Sequence, residues 1–345
     1  MGEVKLPTMA DVAERAGVAL KTVSRVVNGE TYVSDAVREK VQFAIGELGY
    51  RPNRAAQSLM RKRSGVMGIV AYGSPLYGPS MSLLGLAEAV KRRGLMPSLI
   101  TTEANDHAEI QNAIGRLIDM GVDGVLIAEP VVDMDFEGAN HGSTPIVVVG
   151  GRALQTSPTA GTSIRSGAHQ AVEHLLQLGH QTVHHLAGAP NWYATQARID
   201  AWREVLEQSG RDIPAIVAGD WTPASGYEAA RALLAEKPTA VFVANDHMAI
   251  GLLKACHELG VRVPEDLSIV GFDDVPEATY LTVPLTTVRV DMTRNMADAV
   301  DELLRRIDGD DASVSIAPQI NAELMVRETT ARPRPSAPAS TSDAQ

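Results

Sequence analysis

The chain is poor in the residues that build covalent cross-links and aromatic cores: it has one cysteine, three tryptophans and four phenylalanines in 345 residues. A lone cysteine, Cys256, excludes an internal disulfide and fits a reducing compartment. Its place on a helical stretch makes it a small buried apolar side chain rather than a nucleophile. No apolar run approaches the roughly 20 residues that span a bilayer. The first residues lack the charged, apolar and small-residue succession of a secretory signal, so a cytoplasmic protein without membrane attachment is expected. Catalytic signatures are missing too. There is no Gly-x-Ser-x-Gly elbow, no phosphate loop ending in Gly-Lys-Ser/Thr, and no Gly-x-Gly-x-x-Gly after the first strand. Of the nine histidines, His180 falls in a Gly-His turn, while His184 and His185 face opposite ways on a strand, which is no metal site. Asp273 and Asp274 are neighbours in sequence and cannot flank a substrate. No catalytic residue, metal or cofactor is expected.

What the chain does have is an uneven distribution of charge. The net charge is −11, yet residues 1–63 hold 11 Lys and Arg against 7 Asp and Glu, and the rest holds 20 against 35. A basic footprint of +4 is therefore confined to the N-terminal sixty residues, and phosphate repels the acidic remainder at −15. The expected division is a small nucleic-acid reader and a larger body held off the DNA.

The basic part carries a helix-turn-helix pattern. Thr8 can cap a helix whose third residue is Asp11, with Val12, Ala13 and Ala16 on its apolar face and Gly17 as the left-handed residue that ends it. A second helix opens at Leu20 and runs to Val27 with Val23, Val26 and Val27 inward. That leaves Leu20, Lys21, Thr22, Ser24 and Arg25 for a groove. Helices this short, joined by a turn of about four residues, cross steeply, which lays the second in a major groove. A third helix capped by Ser34 buries Val37, Val41, Ala44, Ile45 and Leu48. Residues 1–50 form this headpiece, and residues 51–65 read as a short helix capped by Asn53 plus a linker.

From Val66 onward short β-branched runs alternate with amphipathic helices: strands at 67–71, 98–101, 125–128, 146–149, 183–187, 216–219, 240–244 and 267–271, helices at 81–93, 108–120, 167–178, 196–208, 224–235 and 249–259. Such alternation implies parallel sheets with covered faces. Gly94, Gly121, Gly179, Gly210 and Gly260 mark helix ends. Residues 331–345, rich in Pro, Ser and Ala without an apolar period, are expected to be a disordered tail.

Thr8-Met-Ala-Asp-Val-Ala-Glu-Arg-Ala-Gly-Val18, Thr22-Val-Ser-Arg-Val-Val-Asn28, Leu48-Gly-Tyr-Arg-Pro-Asn53 and Val270-Gly-Phe-Asp-Asp274 resemble the lactose repressor/galactose repressor family of bacterial transcription factors, over about Thr8 to Thr329. One departure is Ala19, where the family usually has a serine capping the recognition helix. The resemblance implies a body of the periplasmic-binding-protein type I, with an N-lobe at about 66–161 and 292–320 and a C-lobe at about 162–291 and 321–330. The chain would cross between lobes three times, the third crossing following Thr287-Val-Arg-Val-Asp291. The tail lacks the leucine heptads of a tetramer, so a homodimer is implied, bound to a pseudopalindromic double-stranded operator.

The family motif places Leu20, Lys21 and Arg25 against base edges. Thr22, Ser24, Tyr32, Asn53 and Arg54 read as phosphate contacts, Ala56 joins the DNA-facing set, and Leu59 falls where the family inserts a leucine wedge into the minor groove. The implied effector is a small carbohydrate. Arg198 matches the family arginine that bridges ligand hydroxyls or carboxylates, and Trp221 the aromatic that stacks on a pyranose. Asn245 and Asp273 follow strands, where α/β lobes bind ligands; Trp192 precedes Arg198, and Tyr72 and Leu76 would close the other side. The implied function is a sugar-controlled repressor and not an enzyme. The alternatives are a corepressor or non-sugar effector within the family and, in a different class, a sugar-binding transport protein.

Overall fold

A computed structural model describes residues 7–28, 32–51, 63–103, 107–128, 142–149, 159–309 and 322–334, with side chains of 159–163 excepted. The chain divides into two units, Met1–Gly65 and Val66–Gln345.

In the first unit α1 (Met9–Ala16) opens with a capping box: the Thr8 hydroxyl accepts the Asp11 amide, and the Asp11 carboxylate accepts the Thr8 amide at 2.7 Å. Gly17 ends the helix at φ 65°, a left-handed conformation that side chains with a Cβ resist. α2 (Leu20–Val27) and α3 (Asp35–Leu48) follow. Val12, Val23, Val41 and Ala44 form the buried centre, and Tyr50, whose part in this core the apolar spacing does not reveal, closes it. Arg15 on α1 pairs with Glu47 on α3 at 2.6 Å. The expected cap on α3 is corrected: Ser34 holds the N-cap position, but its side chain makes no capping bond. The expected hinge helix, with Asn53, Arg54, Ala56 and Leu59, lies outside the described residues.

The second unit contains two sheets. β1 (Val66–Tyr72), β2 (Met96–Thr102), β3 (Gly124–Ala128) and β4 (Ile146–Val149) form a parallel sheet in the order β2-β1-β3-β4. α4 (Tyr77–Arg92) and α5 (His107–Asp119) follow β1 and β2. The second sheet has the order β10-β9-β8-β7-β5-β6, built from β5 (His184–Ala187), β6 (Val217–Ala218), β7 (Ala240–Val243), β8 (Ser268–Phe272), β9 (Thr286–Val290) and β10 (Ala322–Met325). Only β10 is antiparallel there, pairing with β9. Its helices are α6 (Thr159–Gln177), α7 (Tyr193–Gln208), α8 (Pro223–Ala235) and α9 (Asp246–Glu258). Glycines let α8 and α9 touch closely: a Cβ on Gly226 would sit 2.1 Å from the Met248 carbonyl oxygen, and one on Gly251 1.9 Å from that of Pro223.

α10 (Met292–Ile307) follows β9 of the second sheet but packs on the first, burying Met296, Val300 and Leu303 against Leu86, Leu126 and Val147. A Cβ on Gly85 of α4 would lie 2.7 Å from Met296 Cγ, so that glycine sets the α4–α10 approach. The crossing after Asp291 is consequently the second, which corrects the expected order; the third falls between Gly309 and Ala322, outside the described residues.

The expected start of the tail is also corrected. Ala331 donates its amide to Ser268 Oγ at 3.0 Å, its carbonyl accepts from His180 Nε2 at 3.0 Å, and Arg334 pairs with Asp266 at 3.4 Å. Buried His180 and Ser268 hold Ala331, and an exposed ion pair holds Arg334, although their composition reads as tail. Cys256 is 1% exposed, and burial pushes its thiol up to about 11, so it stays a protonated core group.

Candidate functional site

The outer face of α2 matches the sequence expectation. Leu20 is 53% exposed, Lys21 is exposed, and Thr22, Ser24 and Arg25 lie at the half-buried margin. Tyr32 is 89% exposed. Ala19 takes the extended N-cap conformation without a side-chain bond; such a cap, when present, contributes about 0.5–2 kcal/mol. Asn28 Nδ2 donates to Ser24 Oγ at 3.3 Å, so Ser24 already serves the end of its own helix.

A cleft of about 840 Å³ lies between the two sheets of the larger unit. Strand ends of the second sheet supply its polar wall. β8 ends at Phe272, and the next two residues, Asp273 and Asp274, take positive φ of 109° and 53°, a conformation costly for non-glycine residues. What holds them there is visible. Asp274 is clamped by Arg289 and Arg327 at 2.6 Å each. Asp246, the first residue of α9 and fully buried, accepts the Val275 amide at 2.9 Å and the Thr287 hydroxyl at 2.5 Å. Burial, then the nearby Asp273 charge, raises the Asp246 carboxyl well above the ordinary range.

Arg198, on α7 and 6% exposed, stacks its guanidinium carbon 4.0 Å from the Phe272 ring centre and 5.4 Å from that of Trp221. Its Nη2 stands 3.5 Å from Asp273 Oδ1. That separation is long for a charge-assisted bond, so a ligand oxygen can compete for either partner. Trp221 is itself 6% exposed at φ 76° and packs against Gly188, where a Cβ would fall 2.2 Å from the indole. Asn245 caps α9 by accepting the Met248 amide at 2.9 Å and donates to the Trp221 carbonyl at 3.0 Å. One amide hydrogen and one lone pair remain to it by inventory.

Trp192 bridges the lobes: its ring centre is 5.8 Å from Trp221 and 5.6 Å from Tyr72, both near edge-to-face. Leu76, Trp192, Arg198, Trp221, Asn245 and Asp273 all line the cleft as expected. Tyr72 is corrected, because it props Trp192 from the first sheet without itself lining the cleft. Sequence reasoning missed Tyr77, Phe272, Met292, Asn295 and Met296, which also line it. The last three lie on α10, whose contribution shows only once that helix is seen to return to the first sheet. Tyr77 faces His247 of α9 at 6.2 Å, and burial, then Asp273, raises its phenol.

Among the described residues no helix is long and apolar enough to cross a membrane, and no cluster of potential metal ligands occurs. The family model for bacterial regulatory proteins of the lacI family matches residues 8–53, and that for a periplasmic binding protein-like domain matches residues 172–330. The lactose operon repressor of Escherichia coli (strain K12) is 33% identical over 334 residues, covering 96% of this chain and 92% of its own length. The HTH-type transcriptional repressor PurR of Haemophilus influenzae (strain PittEE) is 31% identical over 337 residues, covering 94% and 98%. Among solved structures, the lac repressor dimer bound to operator and the anti-inducer ONPF superposes with TM-score 0.83 at 32% identity, covering 95% of this chain and 100% of that one. The transcriptional regulator CelR in complex with cellobiose gives 0.66 at 31%, covering 94% and 99%.

Proposed function

Because the chain belongs to the lacI family of bacterial regulatory proteins, we propose that it is a homodimeric repressor whose affinity for a pseudopalindromic operator is set by a small carbohydrate bound between the two lobes. One observation carries the carbohydrate reading: Arg198, Asp273 and Asn245 converge in a cleft whose floor holds two tryptophans. A carboxylate accepting neighbouring hydroxyls, opposed by a five-donor guanidinium and flanked by aromatic faces, suits a sugar ring. The indole N–H of Trp221 is buried without a hydrogen-bond partner among the described residues; a ligand oxygen would relieve a cost of about 1–3 kcal/mol. Cellobiose in the related CelR supports the same class.

In this reading Leu20, Lys21 and Arg25 face bases, and the effector acts by changing how the lobes sit, which alters the cost of ordering the DNA-bound hinge. A thermal-shift screen of mono- and disaccharides, followed by calorimetry and operator anisotropy, tests it. Arg198→Ala and Asp273→Ala should each lower effector affinity at least 10-fold and abolish the effector's action on operator binding, while operator binding itself survives. Unchanged effector affinity in both variants would place the site elsewhere.

A further inference from the structure

The guanidinium of Arg198 has its closest aromatic contact with Phe272, the last residue of β8. Its carbon lies 4.0 Å from that ring centre, against 5.4 Å for Trp221. The approach to Asp273 at 3.5 Å and the hydrogen bond from Nη1 to the Ala194 carbonyl at 3.4 Å are both long for a cation. Phe272 is itself firmly held. It is 1% exposed and tilted against Phe242 at 6.4 Å, which in turn stacks on His185 at 4.8 Å. α6 comes close to the ring through a glycine, since a Cβ on Gly167 would lie 3.0 Å from Phe272 Cε2.

A long arginine side chain held ready for a ligand gives up rotamer freedom, so something must keep it in place. A hydrogen-bonding partner would do so by taking an N–H group that a ligand oxygen could use. An aromatic face attracts the cation through its quadrupole and takes none of the five. The attraction grows where water is excluded, and Arg198 is 6% exposed.

We infer that Phe272 is a positioning residue for effector recognition: its ring face holds the Arg198 guanidinium by a cation–π contact and so presents the N–H groups to ligand oxygens. This role rests on the reading of Arg198 as an effector contact and names the group that aims it.

The test uses the full-length protein with Phe272 replaced by mono-, di- and trifluorophenylalanine, which drain negative charge from the ring face and hardly change its size, and by leucine, which has no face. Without ligand, the fluorine series should lower the thermal midpoint stepwise when Arg198 is present and leave it within about 1 °C in Arg198→Met, where the ring has no cation to hold. An equal fall in both backgrounds would reduce Phe272 to plain packing and overturn the inference. Calorimetry with glucose, galactose, xylose, maltose and cellobiose as probes reads the effector side. For a sugar that binds the parent, affinity should fall stepwise along the series, reaching about 10-fold with trifluorophenylalanine and in Phe272→Leu. The same fluorinated residues at Phe242, which touches Phe272 but does not line the cleft, should change it by less than about 2-fold. Operator binding without sugar should stay unchanged throughout. Should Phe272→Leu fail to fold, the fluorine series still decides. Sugar affinity that ignores fluorination overturns the positioning role and leaves the carbohydrate reading standing. If none of these sugars binds the parent, the carbohydrate reading falls, and the ligand-free comparison alone decides whether Phe272 holds Arg198.

Discussion

His185 is fully buried, stacked on Phe242 at 4.8 Å and beside Trp202 at 5.5 Å, with Nδ1 bonded to the Phe242 carbonyl at 2.8 Å. Burial pushes its imidazole down to about 4, and the positive Arg198 adds to the shift. The unfolded chain therefore takes up a proton near pH 6.5 that the folded chain refuses until about pH 4. Stability present above pH 6.5 should be lost as pH falls through that window, by about 3 kcal/mol at its lower end. Urea unfolding of the parent and His185→Phe between pH 7 and 4 checks this, and the variant should show the flatter profile. On the DNA side, Arg25→Ala should cost about 1–3 kcal/mol and relax preference at one base pair of each half-site. Equal loss on operator and random DNA, measured by anisotropy, would reduce Arg25 to a phosphate contact. The family resemblance points to Arg198, and strand-end positions point to Asn245 and Asp273. The strand-end position marks Asp246 together with Asn245, but not its role of fixing the Asp273 loop, because a fully buried acid looks in sequence like any helix-starting aspartate. Trp221 was expected under a ligand, and its burial against Gly188 depends on contacts between residues 33 apart.

Secondary structure was legible where apolar period and terminators agree, as in α1 with its Thr8 box and Gly17 stop. α4 begins at Tyr77, before the expected Met81, since Gly78-Pro79 reads as a breaker; yet proline is tolerated in a first turn, where its missing N–H has no intrahelical role. β6 shrinks to Val217–Ala218 because an edge strand has one neighbour, β5, to pair with. The uncapped start of α2 yields a prediction at this scale. Ala19→Ser should stabilise the helix by about 1 kcal/mol, slowing amide exchange across Leu20–Val27 roughly fivefold in the DNA-free protein. An unchanged exchange rate would mean that α2 is already held by its Val23 and Val26 contacts with α1 and α3.

For the whole molecule, the fold class followed from alternation and family resemblance. The placement of Ala331–Arg334 did not, because they are held by His180, Ser268 and Asp266, partners 63 residues away or more in sequence. Thr329 is fully buried, accepting the Thr286 amide at 2.8 Å and donating to the Ile269 carbonyl at 2.7 Å. Ending the chain after Arg334 should leave the oligomeric state by light scattering and the thermal midpoint unchanged, whereas ending it before Thr329 should lower the midpoint by several degrees, since each orphaned buried group costs about 1–3 kcal/mol. A tetramer that depends on residues 335–345 would overturn the dimer.

The return of α10 to the first sheet and of β10 to the second also bears on how such proteins can diversify. Neither lobe is a continuous stretch of chain, so no single recombination point can exchange one lobe for a homologue's; three junctions would have to change together, each preserving packing such as Met296 on Gly85. The first unit is one uninterrupted segment ending at Gly65. One crossover there would exchange the whole first unit at once, while a change in the second unit has to respect packing shared between its discontinuous segments.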